Sequence, residues 1–318
     1  MKVKQPFPFN EIQGVRLAAV ASGLKKDSLD LALIELNERC VCSAVFTQSS
    51  FAAAPVLVSR KHLKSESSKY LLINSGNANA ATGNEGFENA IRCCESVARM
   101  AGLKKEEVLP FSTGVIGEPL NYQKIQNAIP SLFEKLAGDG WVEVARAIVT
   151  TDTTIKISST EIEIGNKAVK ITGVAKGSGM IQPNMATMLS FLATDALIER
   201  KVLDQILSEV CEKTFNRITV DGDTSTNDAC VLMSTGLSGA DCNKSPKLDL
   251  FKEGVFQVMR DLAMAIVKDG EGATKFVEVR VRGGNTNVDS RNIAYSIANS
   301  PLVKTALFAS DPNWGRLV

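Results

Sequence analysis

The sequence predicts an α+β fold in which helices cover mixed sheets in separate layers. Short apolar or alternating segments predict strands, and longer segments with apolar residues at i, i+3 and i+4 predict helices. The two kinds of segment follow one another without the regular rhythm of a doubly wound parallel sheet. With 318 residues, of which 44% are hydrophobic, the chain can form a large core in one large or two packed domains.

The N-terminal half is predicted to contain five strands and four helices. The predicted strands are GVRLAAVAS (14–22), LDLALIEL (29–36), CVCSAVFT (40–47), LLIN (71–74) and VLPFSTGVIG (108–117). The predicted helices cover 53–63, 86–103, 121–137 and 140–149. Gly102 is expected to end the second of these helices, since glycine readily adopts the left-handed conformation found there.

The C-terminal half is predicted to begin with a β-hairpin over 154–177, with its turn at Gly165-Asn166. Further strands are expected at ATMLSFLATDA (186–196), ITVDG (218–222), ACVLMSTG (229–236) and the alternating TKFVEVRVRG (274–283). Helices are expected over 198–213, 246–270 and 290–309.

Charge and hydropathy exclude several classes of function. The net charge is +1, so a broad basic face for nucleic acid is not expected. The apolar segments are shorter than a membrane-spanning helix requires. The N-terminal MKVKQPFPFN contains no apolar core of a secretory signal, and the predicted location is cytoplasmic.

The cysteines and the single histidine limit which metal sites and which general bases the sequence could contain. The seven cysteines are scattered and form no C-x-x-C pair, which predicts reduced, core-filling thiols and no bound metal. The single histidine, His62, stands in the polar stretch SRKHLKSESSK and is expected at the surface. An acyl-transfer enzyme of this sequence would then need a lysine or an N-terminal amine as its base.

The segment KGSGMIQPNMATMLSFLATDA (176–196) contains a candidate nucleophile. The hydroxyl of Thr187 could attack the carbonyl of Ala186, shift the peptide to an ester and allow water to cut the chain. The new N-terminal threonine would carry both a nucleophile and a nearby amine as its base. On pattern alone, however, Ala-Thr is common, and a plain buried strand is the preferred interpretation.

Together with this segment, six further blocks occur in a characteristic order. They are LLINSGNANAATG (71–83), STGVIGEPL (112–120), TTDT (150–153), NRITVDGDTSTND (216–228), KDGEGATK (268–275) and SPLVKTALFASDPNWGR (300–316). In these blocks the chain resembles the ornithine acetyltransferase family, the N-acetyltransferases of arginine biosynthesis. The resemblance covers nearly the whole chain.

The resemblance implies a layered α/β/β/α, N-terminal-nucleophile-like fold with mixed sheets in two lobes. Residues 1–186 would form the α-chain lobe and residues 187–318 the β-chain lobe, separated by autocatalytic cleavage between Ala186 and Thr187. Thr187 would take an acetyl group from N2-acetylornithine and pass it to glutamate in a ping-pong cycle. The freed amine of Thr187 would be the general base.

The resemblance also implies roles for five other positions. Thr113 and Gly114 match the pair that stabilises the oxyanion. Thr150, Lys176 and Glu271 match substrate-binding positions, with Lys176 suited to a carboxylate and Glu271 to the ornithine ammonium. From local chemistry alone, an ordinary strand-to-loop turn is the preferred interpretation of Thr113 and Gly114, and a surface lysine beside a turn is the alternative for Lys176. The roles of Thr150 and Glu271 depend mainly on the resemblance.

The DGDTSTND loop (221–228) offers oxygen atoms at short spacing, which raises the question of a metal site. The candidate ligands are Asp221, Asp223, Asn227 and Asp228. The loop lacks the glycine and glutamate of a calcium-binding loop. A tightly hydrogen-bonded structural loop near the site is the preferred interpretation.

Two other functions stay open at this point. One is an N-terminal-nucleophile amidohydrolase or aminopeptidase, which would hand its acyl group to water. The other is a catalytically inactive binding or assembly form, because family members usually continue beyond DPNWGR with two more substrate contacts, whereas this chain stops at Val318. The resemblance further implies self-association as α2β2 or larger and no cofactor, with acetyl-CoA as a candidate second acetyl donor.

Overall fold

The computed structural model describes residues 8–182 and 188–318, and within them the predicted α+β layering is confirmed. The strands are β1 (Val15–Val20), β2 (Leu31–Leu36), β3 (Val41–Phe46), β4 (Tyr70–Asn77), β5 (Val108–Val115), β6 (Lys156–Ile164), β7 (Lys167–Lys176), β8 (Leu189–Thr194) and β9 (Ala229–Ser234). The helices are α1 (Ala54–Ser65), α2 (Gly83–Ala101), α3 (Tyr122–Glu134), α4 (Trp141–Ile148), α5 (Arg200–Lys213), α6 (Lys247–Lys268), α7 (Asn287–Asn299) and α8 (Pro301–Phe308).

The first sheet has the strand order β1-β2-β4-β5. The β1–β2 and β2–β4 pairs are antiparallel, and β4–β5 is parallel. A parallel pair needs a long crossover connection, which α2 supplies here. Gly102 ends α2 in the left-handed conformation with φ of 69°, as predicted.

The second sheet has the order β3-β9-β8-β7-β6. β6 and β7 form the predicted hairpin, in which Ile164 pairs with Lys167 across the Gly165-Asn166 turn. β8 and β9 are parallel and are joined through α5. The strand predicted over 186–196 is shorter than expected, since β8 covers Leu189–Thr194 and residues 183–187 lie outside the described part of the chain.

The sheets pack face to face around the main core, and helices cover their outer faces. Phe111 of the first sheet meets Phe191 of the second with ring centroids 5.0 Å apart, while Trp141 of α4 is fully buried beside them. α2 and α3 cover the first sheet, and α5 and α6 cover the second. Each fully buried large apolar side chain stabilises this arrangement by roughly 1.5–3 kcal/mol. The α/β/β/α order is therefore confirmed.

The second sheet takes strands from both sides of the predicted lobe boundary. β3, β6 and β7 precede residue 186, and β8 and β9 follow residue 187. The division of the chain into lobes at that point stays a prediction. Among the described helices, none is both long and apolar enough to cross a membrane.

The strand predicted at ITVDG (218–222) is wrong. A short 3-10 turn, Phe215–Arg217, is followed by an irregular loop. Val220 N–H donates to Ile181 O at 2.7 Å, yet no ladder continues from this bond in the described segments. The apolar residues of ITVDG instead pack individually against the core beneath the second sheet.

The strand predicted at TKFVEVRVRG (274–283) is also wrong. This stretch contains no helix or strand and forms no ladder with any described strand, and Phe276 and Val277 are 43% and 42% exposed. Alternating apolar and polar residues are compatible with a β-strand. A strand forms, however, only where a partner strand lies beside the segment.

The helix predicted over 290–309 is two helices. α7 ends at Asn299, Ser300 is extended with ψ of 118°, and α8 begins at Pro301. Proline has no N–H group and clashes with the preceding helical turn, so it begins a helix more readily than it continues one. The Ser300 hydroxyl caps α8 by accepting from Val303 N–H.

The surface position predicted for His62 is wrong, because its side chain is only 3% exposed. Its Nδ1 lies 2.8 Å from Val108 O, so α1 holds the ring against the start of β5. The neighbouring Lys61 and Lys64 of the same helix are exposed, whereas Ser59 is buried like His62. The buried imidazole therefore satisfies a backbone group and stands apart from the cavity described below.

The prediction that the cysteines fill the core is confirmed, since all seven thiols are buried and none forms a disulfide. Burial raises the pKa of Cys42 and of Cys93 to about 12. Thiols in this environment stay protonated and behave as small apolar side chains.

Candidate active site

One cavity of about 600 Å³ collects the site residues that the sequence predicts within the described part of the chain. It lies where the ends of β4 and β5 in the first sheet meet β7 and β8 in the second. Its walls include Thr113, Gly114, Thr150, Lys176 and Glu271. These five residues are spread over more than 150 positions of the sequence, so the fold alone brings them together.

Ala186 and Thr187, the predicted cleavage residues, lie outside the described residues. The next two residues of the chain, Met188 and Leu189, both line the cavity. Leu189 begins β8, where it pairs with Ala229 of β9 and with Lys176 of β7.

The side chain of Lys176 reaches from the second sheet to the first. It is the last residue of β7, and its Nζ donates to Thr113 Oγ1 of β5 at 3.1 Å. Burial lowers the pKa of Lys176, while the carboxyl groups of Asp152 and Asp228 oppose that shift. A lysine in this setting gains from an added anion, because the anion compensates for the water it has lost.

Gly114 occupies a position that other residues fit poorly. Its φ of 133° is in the region that L side chains rarely adopt. A Cβ atom there would lie 2.4 Å from Gly76 C and 2.6 Å from Asn77 N, which are backbone atoms of β4. The backbone of β4 thus occupies the side-chain side of Gly114. Thr113 and Gly114 both line the cavity, where a hydroxyl and a backbone N–H are groups suited to an oxyanion.

A buried ion cluster, formed by Asp152, Lys156 and Asp269, lies beneath the cavity. Lys156 Nζ is 2.6 Å from Asp152 Oδ1 and 2.6 Å from Asp269 Oδ2, and all three side chains are at most 6% exposed. Asp152 also accepts from Thr150 N–H at 3.0 Å and from Gly177 N–H at 2.7 Å. The cluster thereby fixes the backbone beside Thr150 and directly after the cavity lysine.

Hydrogen bonds through Ser178 connect Asp269 of this cluster with Glu271. Ser178 Oγ donates to Asp269 O at 2.7 Å, and Glu271 N–H donates to Ser178 O at 2.9 Å. A Cβ atom on Gly179 would lie 2.6 Å from both carboxylate oxygens of Glu271. The glycines of KGSGM therefore make room for the Glu271 carboxylate at the cavity wall.

The pKa values of two buried carboxyl groups shift in opposite directions here. Burial opposes ionisation of Asp152, but Lys176, Lys156 and the Gly177 N–H together lower its pKa overall. Burial raises the pKa of Asp228 well above its usual range, although Lys176 attracts its charged form. Oδ2 of Asp228 has no hydrogen-bond partner among the described residues, and the side chain lines the cavity.

The DGDTSTND loop forms part of the cavity wall through hydrogen bonds. The Asp221 carboxylate accepts from Met180 N–H at 2.6 Å and from Ile181 N–H at 2.9 Å. Asn227 Nδ2 donates to Ser112 O at 3.0 Å. Across residues 8–182 and 188–318, no three His, Cys, Asp or Glu side chains are grouped as metal ligands would be.

Sequence reasoning missed four residues of the site. Lys25 lines the cavity, and the ion cluster of Asp152, Lys156 and Asp269 supports it. No quoted sequence block contains Lys25 or Lys156. Asp152 lies in the TTDT block and Asp269 in the KDGEGATK block. Their ion pairs with Lys156 could not be predicted from the sequence, because they depend on the fold.

Comparison with known protein families gives a match over most of the chain. The model of the ArgJ family matches residues 16–318. The chain is 51% identical over 310 residues to the arginine biosynthesis bifunctional protein ArgJ of Methylococcus capsulatus, covering 96% of this chain and 76% of that protein. The ArgJ protein of Psychrobacter arcticus is 48% identical over 320 residues, covering 99% and 79%.

Two solved structures resemble this fold at recognisable sequence identity. The arginine biosynthesis bifunctional protein of Bacillus halodurans is 35% identical with a TM-score of 0.51, over 55% of this chain and 92% of that one. The ornithine acetyltransferase of Mycobacterium tuberculosis, in complex with ornithine, is 32% identical with a TM-score of 0.50, over 55% and 94%.

Proposed function

Since the chain belongs to the ArgJ family, we propose that it is a glutamate N-acetyltransferase. It would move an acetyl group from N2-acetylornithine to glutamate, after autocatalytic cleavage between Ala186 and Thr187. The observation that carries this proposal is the 3.1 Å contact of Lys176 with Thr113 in a cavity that the residues following Thr187 also line.

Cleavage would begin when the Thr187 hydroxyl attacks the carbonyl carbon of Ala186. The peptide C–N bond breaks, its nitrogen takes up the proton, and an ester links Ala186 to the Thr187 oxygen. The Thr187 amine is free once this bond has broken, and water then hydrolyses the ester to the Ala186 carboxylate and the Thr187 hydroxyl. His62, the single histidine of the sequence, is buried and does not line the cavity. This supports the Thr187 amine, and not an imidazole, as the general base.

Acetyl transfer would reuse the same groups in two steps. The Thr187 hydroxyl attacks the acetyl carbonyl of N2-acetylornithine, and the ornithine amine leaves with a proton relayed through the Thr187 amine. The glutamate amine then attacks the acetyl ester and regenerates the hydroxyl. Thr113 and Gly114 would stabilise the oxyanion in both steps.

Charged groups of the cavity would hold the amino-acid parts of the substrates. Lys176 suits the α-carboxylate shared by donor and acceptor, and Glu271 suits the ornithine ammonium. The ion cluster keeps the backbone near Thr150, Lys176 and Glu271 in a fixed relation. The Mycobacterium tuberculosis relative solved with ornithine supports an ornithine-type ligand in this family.

The test is an incubation of the purified protein with N2-acetylornithine, with and without glutamate. The proposal predicts equal amounts of ornithine and N-acetylglutamate when glutamate is present. Acetate release without N-acetylglutamate would instead identify an amidohydrolase. Absence of both products would identify an inactive form. Replacing the donor by acetyl-CoA in the same assay tests the second acetyl donor, and gel filtration tests assembly as α2β2 or larger.

A further inference from the structure

Lys25 is a cavity-lining cation to which the proposed reaction has so far given no role. It lies in the loop between β1 and β2 and contributes to the wall that also contains Lys176. Among the described residues, no carboxylate lies within ion-pair distance of either lysine, whereas Lys156 has two. Both cavity lysines are therefore available to an anionic ligand.

The loop that presents Lys25 is held by one buried carboxylate. Asp30 is fully buried and accepts from the backbone N–H groups of Ser22 at 2.6 Å, Gly23 at 3.1 Å and Lys25 at 2.8 Å. Hydrogen bonds to a charged acceptor are stronger than those between neutral groups. The backbone of Lys25 is consequently fixed before any ligand arrives.

The side chain of Lys25 follows a defined path towards the predicted oxyanion position. Its Cγ lies so close to Gly76 that a Cβ atom on that glycine would be only 2.8 Å away. Gly76 in turn is directly opposite Gly114 in the β4–β5 pair. A residue with a side chain at Gly76 would displace the lysine from this place.

The end of the Lys25 side chain is anchored by one backbone group. Nζ donates to Val149 O at 3.0 Å, immediately after the C-terminus of α4 and one residue before Thr150. The negative end of a helix favours a cation there. An ammonium group has three N–H donors, so one bond to Val149 leaves capacity for a ligand.

The charges of the cavity match a ligand with two carboxylates. Its ionisable wall residues are Lys25, Lys176, Asp228 and Glu271. Burial favours the neutral form of Asp228, which leaves two lysines against the Glu271 carboxylate. N2-acetylornithine has one carboxylate and a side-chain ammonium, whereas glutamate has two carboxylates.

We propose that Lys25 is a second anion-binding group of the cavity and binds the side-chain carboxylate of the acceptor amino acid. This inference rests on the proposed function, in which glutamate is the acceptor and Lys176 binds the shared α-carboxylate. Lys25 would thereby determine the preference for glutamate over acceptors with a neutral side chain.

The test is calorimetric titration of the purified protein with glutamate and with glutamine, which differ only in the charge of the side-chain group. Wild-type protein should bind glutamate more tightly by a factor on the order of 10 to 100, the effect of a hydrogen bond to a charged group. Lys25→Met should remove this preference, and Lys25→Arg should retain a large part of it. Lys26→Met, at the exposed neighbouring lysine, should behave as wild type.

Equal affinity of the wild-type protein for glutamate and glutamine would overturn the inference, as would a Lys25→Met variant that keeps the preference. Ornithine release from N2-acetylornithine by the wild-type protein is measured in parallel. No release with an intact glutamate preference would count against the proposed acetyl transfer and not against the Lys25 subsite. Release with no glutamate preference would count against Lys25 alone.

Discussion

Lys176 Nζ donates to Thr113 Oγ1 at 3.1 Å and thereby joins the end of β7 in the second sheet to β5 in the first. This bond crosses between two sheets whose other contacts are mainly apolar. The two residues are 63 positions apart in the chain. Their meeting at the cavity is the relationship on which the proposed chemistry depends.

Replacement of Thr113 tests the oxyanion role. Thr113→Val keeps the shape of the side chain but removes the hydroxyl that faces Lys176. We expect kcat for acetyl transfer to fall by about 10²–10³, the usual effect of removing one oxyanion donor. Thr113→Ser, which keeps the hydroxyl, should retain most of the activity in the same assay. A valine variant with wild-type kcat would contradict the role.

Replacement of Lys156 tests the buried ion cluster. Lys156→Met leaves the Asp152 and Asp269 carboxylates buried without their shared partner, so we expect the free energy of unfolding to fall by about 3–5 kcal/mol. Urea unfolding followed by circular dichroism measures this loss. Lys104→Met removes a solvent-exposed ion pair with Glu66 and should leave the unfolding curve unchanged. Equal curves for both variants would show that the cluster adds no stability.

A pair of glycine variants tests the close approach of β4 and β5. Gly114→Ala places a methyl group against the Gly76 backbone, so we expect loss of acetyl transfer together with a lower Tm. Gly117 also has positive φ, 85°, but nothing lies within 4 Å of its Cβ position. Gly117→Ala should therefore cost only the conformational strain, roughly 1–2 kcal/mol, and keep activity. Similar effects of both variants would mean that strain alone, and not the contact, restricts position 114.

The pH dependence of stability tests the environment of Asp228. Burial raises the pKa of Asp228 in the folded protein, so unfolding releases its proton at pH values between its unfolded and folded pKa. The stability that this group contributes is present below about pH 4, the unfolded pKa of aspartate, and is lost as the pH rises towards the folded pKa. Asp228→Asn should remove this loss, a change in slope of up to about 1.4 kcal/mol per pH unit.

The measurement for Asp228 is a series of urea unfolding curves from pH 4 upwards. Asp223→Asn changes the same charge at an exposed position of the same loop and should follow the wild-type slope. If Asp228→Asn also follows the wild-type slope, the carboxyl group of Asp228 titrates as it does in the unfolded chain.

The order of strands and helices in the core could be predicted from apolar periodicity alone. Periodicity failed where the outcome depends on a distant partner. TKFVEVRVRG (274–283) alternates as a strand should, yet no described strand pairs with it. His62 stands in a polar stretch, yet the face of α1 on which it lies is buried against β5.

The site could be predicted only in part for the same reason. Glycine-rich blocks with a lysine and threonines marked Thr113, Gly114 and Lys176 through their resemblance to a family. Lys25 lies in no recognisable sequence block. Its position in the cavity depends on Asp30, Gly76 and Val149, which only the fold brings together.

Autocatalytic cleavage is the central claim, and intact-mass spectrometry of the purified protein beside a Thr187→Ala variant tests it most directly. We predict two fragments from the wild-type protein, one ending at Ala186 and the other beginning at Thr187, and one uncut chain from the variant. A single uncut chain from both proteins would contradict the claim that Thr187 is a self-activating nucleophile.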